Sequence, residues 1–121
     1  MLALAAGAFF FGSSCGSQSG APAALSCPAL SLDCSGEAPS YAGQVAPIIQ
    51  AHCAGSGCHS QSDDPNAPWA FDDEDDVAGW SFEIQGDLSD CLMPPRDHEP
   101  ALGEADRETL NEWIACGAPD N

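Results

Sequence analysis

The chain has almost no positive charge. Its 121 residues include no lysine and two arginines, Arg96 and Arg107, against 19 acidic residues, so the formal net charge is −17 at pH 7. A protein that binds nucleic acid needs a basic face to neutralise phosphates, so the composition excludes that class of function. The same deficit argues against docking on anionic lipid. The hydrophobic content of 44% is ordinary for a globular protein and does not indicate wholesale disorder.

A long hydrophobic run is also missing. Residues 2–11, LALAAGAFFF, are apolar, but a helix that crosses a bilayer needs roughly 20 such residues. The run has the length of a signal-peptide core, although no basic residue precedes it, and it ends at Gly12-Ser13-Ser14-Cys15. We therefore predict a signal peptide over residues 1–14 and an exported protein of the periplasm or the outer membrane.

Cys15 has two interpretations. The tetrapeptide Gly-Ser-Ser-Cys resembles the lipobox of a bacterial lipoprotein, with Gly12 where leucine is usual. A lipid on Cys15 would then be the only membrane contact. The alternative is a secretory signal that is cleaved near Ser14. Both interpretations export the protein, and export fits a total of seven cysteines, because disulfides persist in oxidising compartments.

The segment that follows has little periodic structure. Residues 15–39 are rich in Gly, Ser, Ala and Pro, a composition typical of a flexible tether. Cys27 and Cys34 interrupt it, and we interpret them as a small disulfide loop, with free or otherwise paired thiols as the alternative. The remaining residues, 40–121, form the predicted domain.

Alternating strand patterns are absent from this domain, and helical patterns are present. The first predicted helix has apolar residues at helical spacing, Pro47 in its first turn and Ser40 as its cap, and it leads into Cys53. The second opens at the acidic run 72–76, and the third spans 104–116 with Gly117 as its C-cap. The predicted helix-face residues are Val45, Ile48, Ile49, His52, Val77, Trp80, Ile84, Leu88, Leu110, Trp113 and Ile114. The prediction is an all-α, loop-rich domain.

The acidic run 72–76 has a second interpretation. Carboxylates are ligands for Ca²⁺, but the run lacks the DxDxDG spacing of a calcium loop. Favourable interaction of acids with a helix N-terminus accounts for most of the run without a metal.

The strongest chemical signal is the sequence Cys53-Ala-Gly-Ser-Gly-Cys58-His59. Covalent haem attachment uses two thiols and a histidine directly after the second, usually as CxxCH. Here the spacing is CxxxxCH, and the Ala-Gly-Ser-Gly insert is flexible enough to bulge outward while the two sulfurs keep their separation. A disulfide between Cys53 and Cys58 is an alternative. Zinc is a third, although no second ligand pair of the usual kind follows.

Met93 is the second signal. Apart from Met1 it is the only methionine, and it precedes Pro94 and Pro95. Two prolines stiffen a loop, so the thioether can be aimed at a fixed point. The alternatives are a methionine without a ligand role, or a histidine as iron ligand. We expect His52 to pack or to face water, and His98, between Asp97 and Glu99, to be solvated.

Three pieces together resemble a known family. Tyr41 to His59, Cys91-Leu92-Met93-Pro94-Pro95, and Leu110 to Ile114 followed by Gly117-Ala118-Pro119 are similar to the small c-type cytochrome domains of exported bacterial proteins. The resemblance covers residues 40–121. It implies a small class I cytochrome c-like all-α fold around one covalently attached haem c. It also implies thioethers at Cys53 and Cys58, with His59 and Met93 as the axial iron ligands.

Cys91 and Cys116 remain unassigned by this resemblance. A disulfide between them would fasten the Met93 loop to the last helix, and it would complete the cysteine count if Cys27 pairs with Cys34. Other pairings stay open, because spacing alone does not determine connectivity.

The resulting functional expectation is electron transfer by one haem with histidine and methionine ligands in the bacterial envelope. No catalytic constellation is visible, so we do not expect an enzyme. The acidic composition predicts a redox partner with a basic docking surface. One alternative is a haem-free, disulfide-stapled lipoprotein that acts as an interaction module. Another is a ligand sensor or peroxidase-like protein in which Met93 is displaced.

Overall fold

The computed structural model describes residues 27–55, 57–60 and 69–121, and these residues fold into helices joined by loops. A π-helical turn, Tyr41–Val45, runs into helix α1, Ala46–His52. Helix α2 spans Glu74–Gly79, α3 spans Ser81–Ser89 and α4 spans Glu104–Ala115. No strand occurs in the described ranges. The predicted all-α class is confirmed. The predicted signal peptide and Cys15 lie outside the described residues.

The first helix begins as the sequence predicts. The Ser40 side chain accepts a hydrogen bond from the Gly43 amide at 3.2 Å, and Pro47 lies in the first turn of α1. Val45, Ile48 and Ile49 are buried on the inner face. The apolar spacing therefore places this helix correctly against the core.

The second predicted helix is interrupted. Trp80 leaves the helical conformation (φ −103°, ψ 13°) and separates α2 from α3. Gly79, which has a low helix propensity, ends α2 just before this break. The predicted inward residues Val77, Ile84 and Leu88 are nevertheless buried. Asp73 caps α2 by accepting from the Asp76 amide at 3.0 Å, so the acidic run has a role at a helix N-terminus.

Helix α4 ends in a hydrogen-bonded cap built by the Trp113 to Pro119 segment. Gly117 has φ +94°, in the region that favours glycine, and its amide donates to the Ile114 carbonyl at 2.9 Å. The Trp113 indole, fully buried, donates to the Pro119 carbonyl at 2.9 Å. This motif therefore fixes the chain direction after the last helix.

The core is built from the π-helical turn, all four helices and Phe71 of the loop before α2. Its buried members are Val45, Ile48, Ile49, Phe71, Val77, Ile84, Leu88, Leu110 and Trp113. Tyr41 packs its ring 5.4 Å from that of Trp113. Burial of each large apolar side chain contributes roughly 1.5–3 kcal/mol.

Two disulfides fasten the N-terminal segment to this core. Cys27 is bonded to Cys91, and Cys34 is bonded to Cys116. The predicted pairs Cys27–Cys34 and Cys91–Cys116 are therefore wrong. The segment lies across the helical domain, so each of its cysteines meets a partner far away in sequence rather than its neighbour.

The described part of the predicted tether, residues 27–39, has no helix or strand but makes specific contacts. The buried Arg107 guanidinium donates to the Leu88 carbonyl at 2.8 Å and to the Pro28 carbonyl at 2.7 Å. It also pairs with Glu104 at 2.9 Å. Arg107 thus joins the N-terminal segment, the end of α3 and the start of α4.

Candidate cofactor site

A cavity of about 440 Å³ opens beside the core, within the usual size range of small-molecule and cofactor sites. Its lining is mostly apolar and aromatic. Three of the four predicted site residues line it: Cys53, His59 and Met93. The other lining residues are His52, Trp69, Phe71, Trp80, Glu83, Ile84, Asp87, Leu88, Pro94, Pro95 and Leu110. The fold therefore unites residues that are widely separated in sequence.

The loop between Cys53 and His59 is closed by backbone hydrogen bonds. The His59 amide donates to the Cys53 carbonyl, and the Cys58 amide donates to the Gly55 carbonyl, both at 3.0 Å. Gly57 has φ +77°, which a residue with a side chain adopts only at a cost. These contacts hold His59 next to Cys53, at the C-terminus of α1, despite the two residues beyond the usual spacing.

The His59 ring is held in one orientation. Its Nδ1 lies 3.0 Å from the Trp69 carbonyl, and since a carbonyl only accepts, Nδ1 is the protonated nitrogen. The ring stacks on Phe71 with centroids 4.5 Å apart. In the neutral imidazole, the nitrogen with the lone pair is then Nε2. A backbone carbonyl on the far nitrogen is the usual orienting contact of a metal-bound histidine.

Cys53 is a free thiol on the cavity wall. Burial raises the pKa of this thiol to about 12, so it is protonated at neutral pH. A buried neutral thiol is a weak nucleophile and a weak ligand for a bare metal ion.

Cys58 is placed differently. It does not line the cavity, and its sulfur is disulfide-bonded. The predicted alternative of a Cys53–Cys58 disulfide is wrong, because Cys53 is free.

Met93 is half-buried on the cavity wall, and its loop is tied down on both sides. On one side, the Leu92 amide donates to the Asp87 carbonyl at 2.9 Å, and Cys91 is bonded to Cys27. On the other, the Pro100 carbonyl accepts a hydrogen bond from His52 Nδ1 at 3.1 Å. Pro94 and Pro95 continue the wall. The backbone of the Met93 loop is therefore fixed by contacts on both sides of the residue.

The two other histidines lie next to each other. His52 is buried, which agrees with the expectation that it packs or faces water in its first option. Its Nε2 lies 3.9 Å from Asp106 Oδ2. His98 is also buried, with 8% of its surface exposed, and neither ring nitrogen has a hydrogen-bond partner. The expectation of a solvated His98 is wrong. Its ring packs edge-on to His52 at 5.8 Å and does not line the cavity.

The cavity donors are spread out rather than clustered. In the described ranges, no three of its His, Cys, Asp and Glu ligand atoms lie within 4.8 Å of one another. The acidic run 72–76 holds no such group either, and the one group present, Cys34, Glu112 and Cys116, includes two disulfide-bonded cysteines. This spacing suits donors that act on an extended molecule better than donors that close around one bare ion.

Several site residues lie outside the motifs found in the sequence. Trp69 and Trp80 pack with ring centroids 4.8 Å apart on the cavity wall. Glu83 and Asp87 come from α3, four positions apart and therefore on one face. The sequence could have indicated these two acids through their i, i+4 spacing. That spacing is common on solvent-exposed helices, so it does not distinguish a site.

No protein family, curated protein or solved structure matches this chain. None of the helices in the described part of the chain is long and apolar enough to cross a membrane.

Proposed function

We propose that the protein is a monohaem electron carrier of the bacterial envelope, with a cytochrome c-like helical domain around one haem c. The observation that carries this proposal is the meeting of Cys53, His59 and Met93 on the wall of one largely apolar cavity. These residues supply a thiol, an imidazole and a thioether, which are the three kinds of side chain that c-type haem attachment and ligation require.

The residues present fit this group. His59 offers Nε2 because Nδ1 donates to the Trp69 carbonyl. Met93 offers its sulfur from the loop that also contains Pro94 and Pro95. The aromatic rings of Trp69, Phe71 and Trp80 and the apolar side chains of α3 exclude water from the remaining wall. When bound, haem supplies one-electron chemistry at iron, and histidine–methionine ligation raises its reduction potential.

Covalent attachment engages the cysteines in different ways. A thioether forms when a thiol S–H adds across a haem vinyl group, so each cysteine must be reduced at that moment. Cys53 is already a free thiol on the cavity wall, whereas Cys58 must first be released from its disulfide. Reduction of cysteines before haem attachment is therefore part of this proposal.

The wider role follows from composition. The cysteine count and the signal-like start favour an exported protein, anchored through Cys15 or released into the periplasm. A chain with 19 acidic and two basic residues favours a redox partner with a basic surface. Electron transfer without substrate chemistry assigns no catalytic residue to the chain.

A second candidate is a haem-free interaction module stapled by disulfides. The disulfide at Cys58 favours it, because that bond removes one of the two attachment thiols. In this alternative the cavity takes an apolar side chain or a small apolar ligand.

The two candidates differ in a visible spectrum. The chain should be expressed in a bacterium with periplasmic haem attachment, beside a His59→Ala variant and a control, Thr109→Ala, whose hydroxyl donates to the α4 carbonyl of Ala105. We expect a low-spin haem spectrum in the parent and in Thr109→Ala, and its loss in His59→Ala. A colourless, folded parent would favour the interaction module instead.

A further inference from the structure

Three exposed apolar residues line the cavity or directly precede a residue that lines it. The large hydrophobic residues that are exposed in the described ranges are Leu32 (64%), Trp69 (49%), Phe82 (83%) and Leu92 (55%). Trp69 itself lines the cavity, while Phe82 and Leu92 directly precede the lining residues Glu83 and Met93. Scattered apolar residues need no explanation, but exposed apolar residues close to the lining of one cavity favour a contact surface there.

Two carboxylates share this opening. Glu83 is exposed and Asp87 is half-exposed, and both line the cavity from the same face of α3. A residue that both lines a cavity and reaches solvent lies at its mouth. We call Trp69, Phe82, Glu83, Asp87 and Leu92 the mouth patch.

Helix stability accounts for Glu83, which lies in the first turn of α3, but not for Asp87. Asp87 lies in the last turn of α3 and Asp90 is its C-cap, where the helix dipole disfavours negative charge. Burial and the neighbouring Asp90 raise the pKa of Asp87, with His59 acting in the opposite direction. By contrast, the acids of α2 lie in its first turn, where they stabilise the helix. Asp87 is thus present at the cavity mouth despite a local cost in stability.

Nothing in the composition balances their charge. The chain has two cationic side chains, Arg96 and Arg107. Arg107 is buried, and its donors are used by Leu88, Glu104, Pro28 and Cys27 within the fold. Arg96 is exposed, but one arginine offsets little of a net charge of −17, so the surface keeps an excess of negative charge that a cationic partner surface can meet.

We propose that the mouth patch is the docking surface for a redox protein whose own contact face is rich in lysine and arginine around an apolar centre. This inference rests on the proposed function and names the face and the partner chemistry. Trp69, Phe82 and Leu92 form the apolar contact, and Glu83 and Asp87 provide the charge complementarity. One electron passes between the two redox centres, so that one centre is oxidised as the other is reduced.

The geometry gives this surface a functional advantage. A partner seated at the mouth lies against the wall that carries Cys53, His59 and Met93, so the distance between the redox centres is short. Electrostatic attraction raises encounter rates by roughly 10- to 1000-fold at low ionic strength. The gain declines as the Debye length falls to about 8 Å near physiological salt.

The test uses isosteric variants with equal net charge. The mouth variant is Glu83→Gln/Asp87→Asn. The control is Glu37→Gln/Glu108→Gln, because both of these acids are exposed and neither lines the cavity. The haem-loaded proteins are reduced by the cation hexaammineruthenium(II) in a stopped-flow experiment from low to high salt. A decalysine peptide, titrated against Trp fluorescence, reports docking without requiring haem.

We expect the mouth variant to react about threefold or more slowly at low salt, with a flatter salt dependence, while the control changes much less. Decalysine should bind the parent and the control, and bind the mouth variant several-fold more weakly. Equal effects of the two variants in both measurements would overturn the docking surface. If the protein carries no haem but the mouth variant still binds decalysine more weakly than the control, the docking surface stands and only the electron-transfer proposal is rejected.

Discussion

The His59 amide donates a hydrogen bond to the Cys53 carbonyl at 3.0 Å, and this contact closes the loop that carries the attachment motif. The loop begins at the end of α1 and returns His59 to the cavity that Cys53 lines. The expanded spacing therefore changes the shape of the loop without separating its first cysteine from its histidine. This geometry keeps Cys53 and His59 on the wall of one cavity despite the longer spacing.

Met93→Ala should change the ligation of bound haem. Loss of the soft, neutral sulfur donor removes the ferric charge-transfer band of sulfur ligation and lowers the reduction potential, on the order of 100 mV or more within the roughly 0.8 V range that axial ligands set. Redox titration followed by visible absorption measures both effects. Unchanged absorption and potential in Met93→Ala would remove Met93 from the ligand set.

His98→Leu should leave the haem spectrum unchanged, although His98 belongs to the same loop as Met93. The buried imidazole has no hydrogen-bond partner, so an apolar replacement loses no bond and removes the cost of burying a polar ring. We expect the free energy of unfolding to stay equal or to rise by up to about 1–2 kcal/mol, with an equal or higher Tm. A shifted spectrum with a lower Tm would instead assign an iron-binding role to His98.

Arg107→Met should be strongly destabilising. The substitution leaves the Leu88 and Pro28 carbonyls without their donor and removes a buried charge-assisted network, at a cost of about 3 kcal/mol or more. Arg96→Met is the matched control, since Arg96 is exposed and a surface charge contributes about 0–1 kcal/mol. Urea unfolding of both variants checks the difference. Equal midpoints would contradict the anchoring role of Arg107.

Glu112→Gln should lower stability in a pH-dependent way. Hydrogen bonds from the Ser35 side chain and amide, at 2.8 and 2.7 Å, lower the pKa of Glu112 from its usual 4.5. The ionised carboxylate therefore stabilises the fold above pH 4.5, and this contribution is lost as the pH falls through the lowered pKa.

Thermal melts from pH 7 to pH 2 test this expectation. The parent should melt above Glu112→Gln at pH 7, and the two curves should converge at acidic pH. Glu108→Gln, an exposed position one turn earlier in α4, is the control and should show no such convergence. A difference between the parent and Glu112→Gln that persists at pH 2 would assign the effect to packing rather than charge.

Local sequence patterns predicted the helices well, because each one has its own signals. Ser40 and Pro47 mark the start of the first helical segment, and Gly117 marks the end of the last. The break at Trp80 was missed, since the apolar spacing continues across it and only Gly79 signals a weak point. Periodicity reports which face is buried more reliably than it reports helix continuity.

Long-range pairings were beyond the sequence. Cys27 and Cys91 are separated by 64 residues, and Cys34 and Cys116 by 82. Proximity in sequence favoured shorter pairs, but the route of the N-terminal segment over the helices decides the connectivity. His98 was misplaced for a related reason. Its acidic neighbours Asp97 and Glu99 indicated solvent, whereas the loop turns the ring inward beside His52.

The central claim is that one haem is held covalently at Cys53 and Cys58 in the cavity that His59 and Met93 line. Acid–acetone extraction of protein matured with periplasmic haem attachment, followed by intact mass measurement, tests it most directly. The account predicts that the colour stays with the polypeptide, that the mass rises by one haem, and that Cys53→Ala and Cys58→Ala each retain a single thioether. Complete extraction of the colour, with a polypeptide at its unmodified mass, would contradict it.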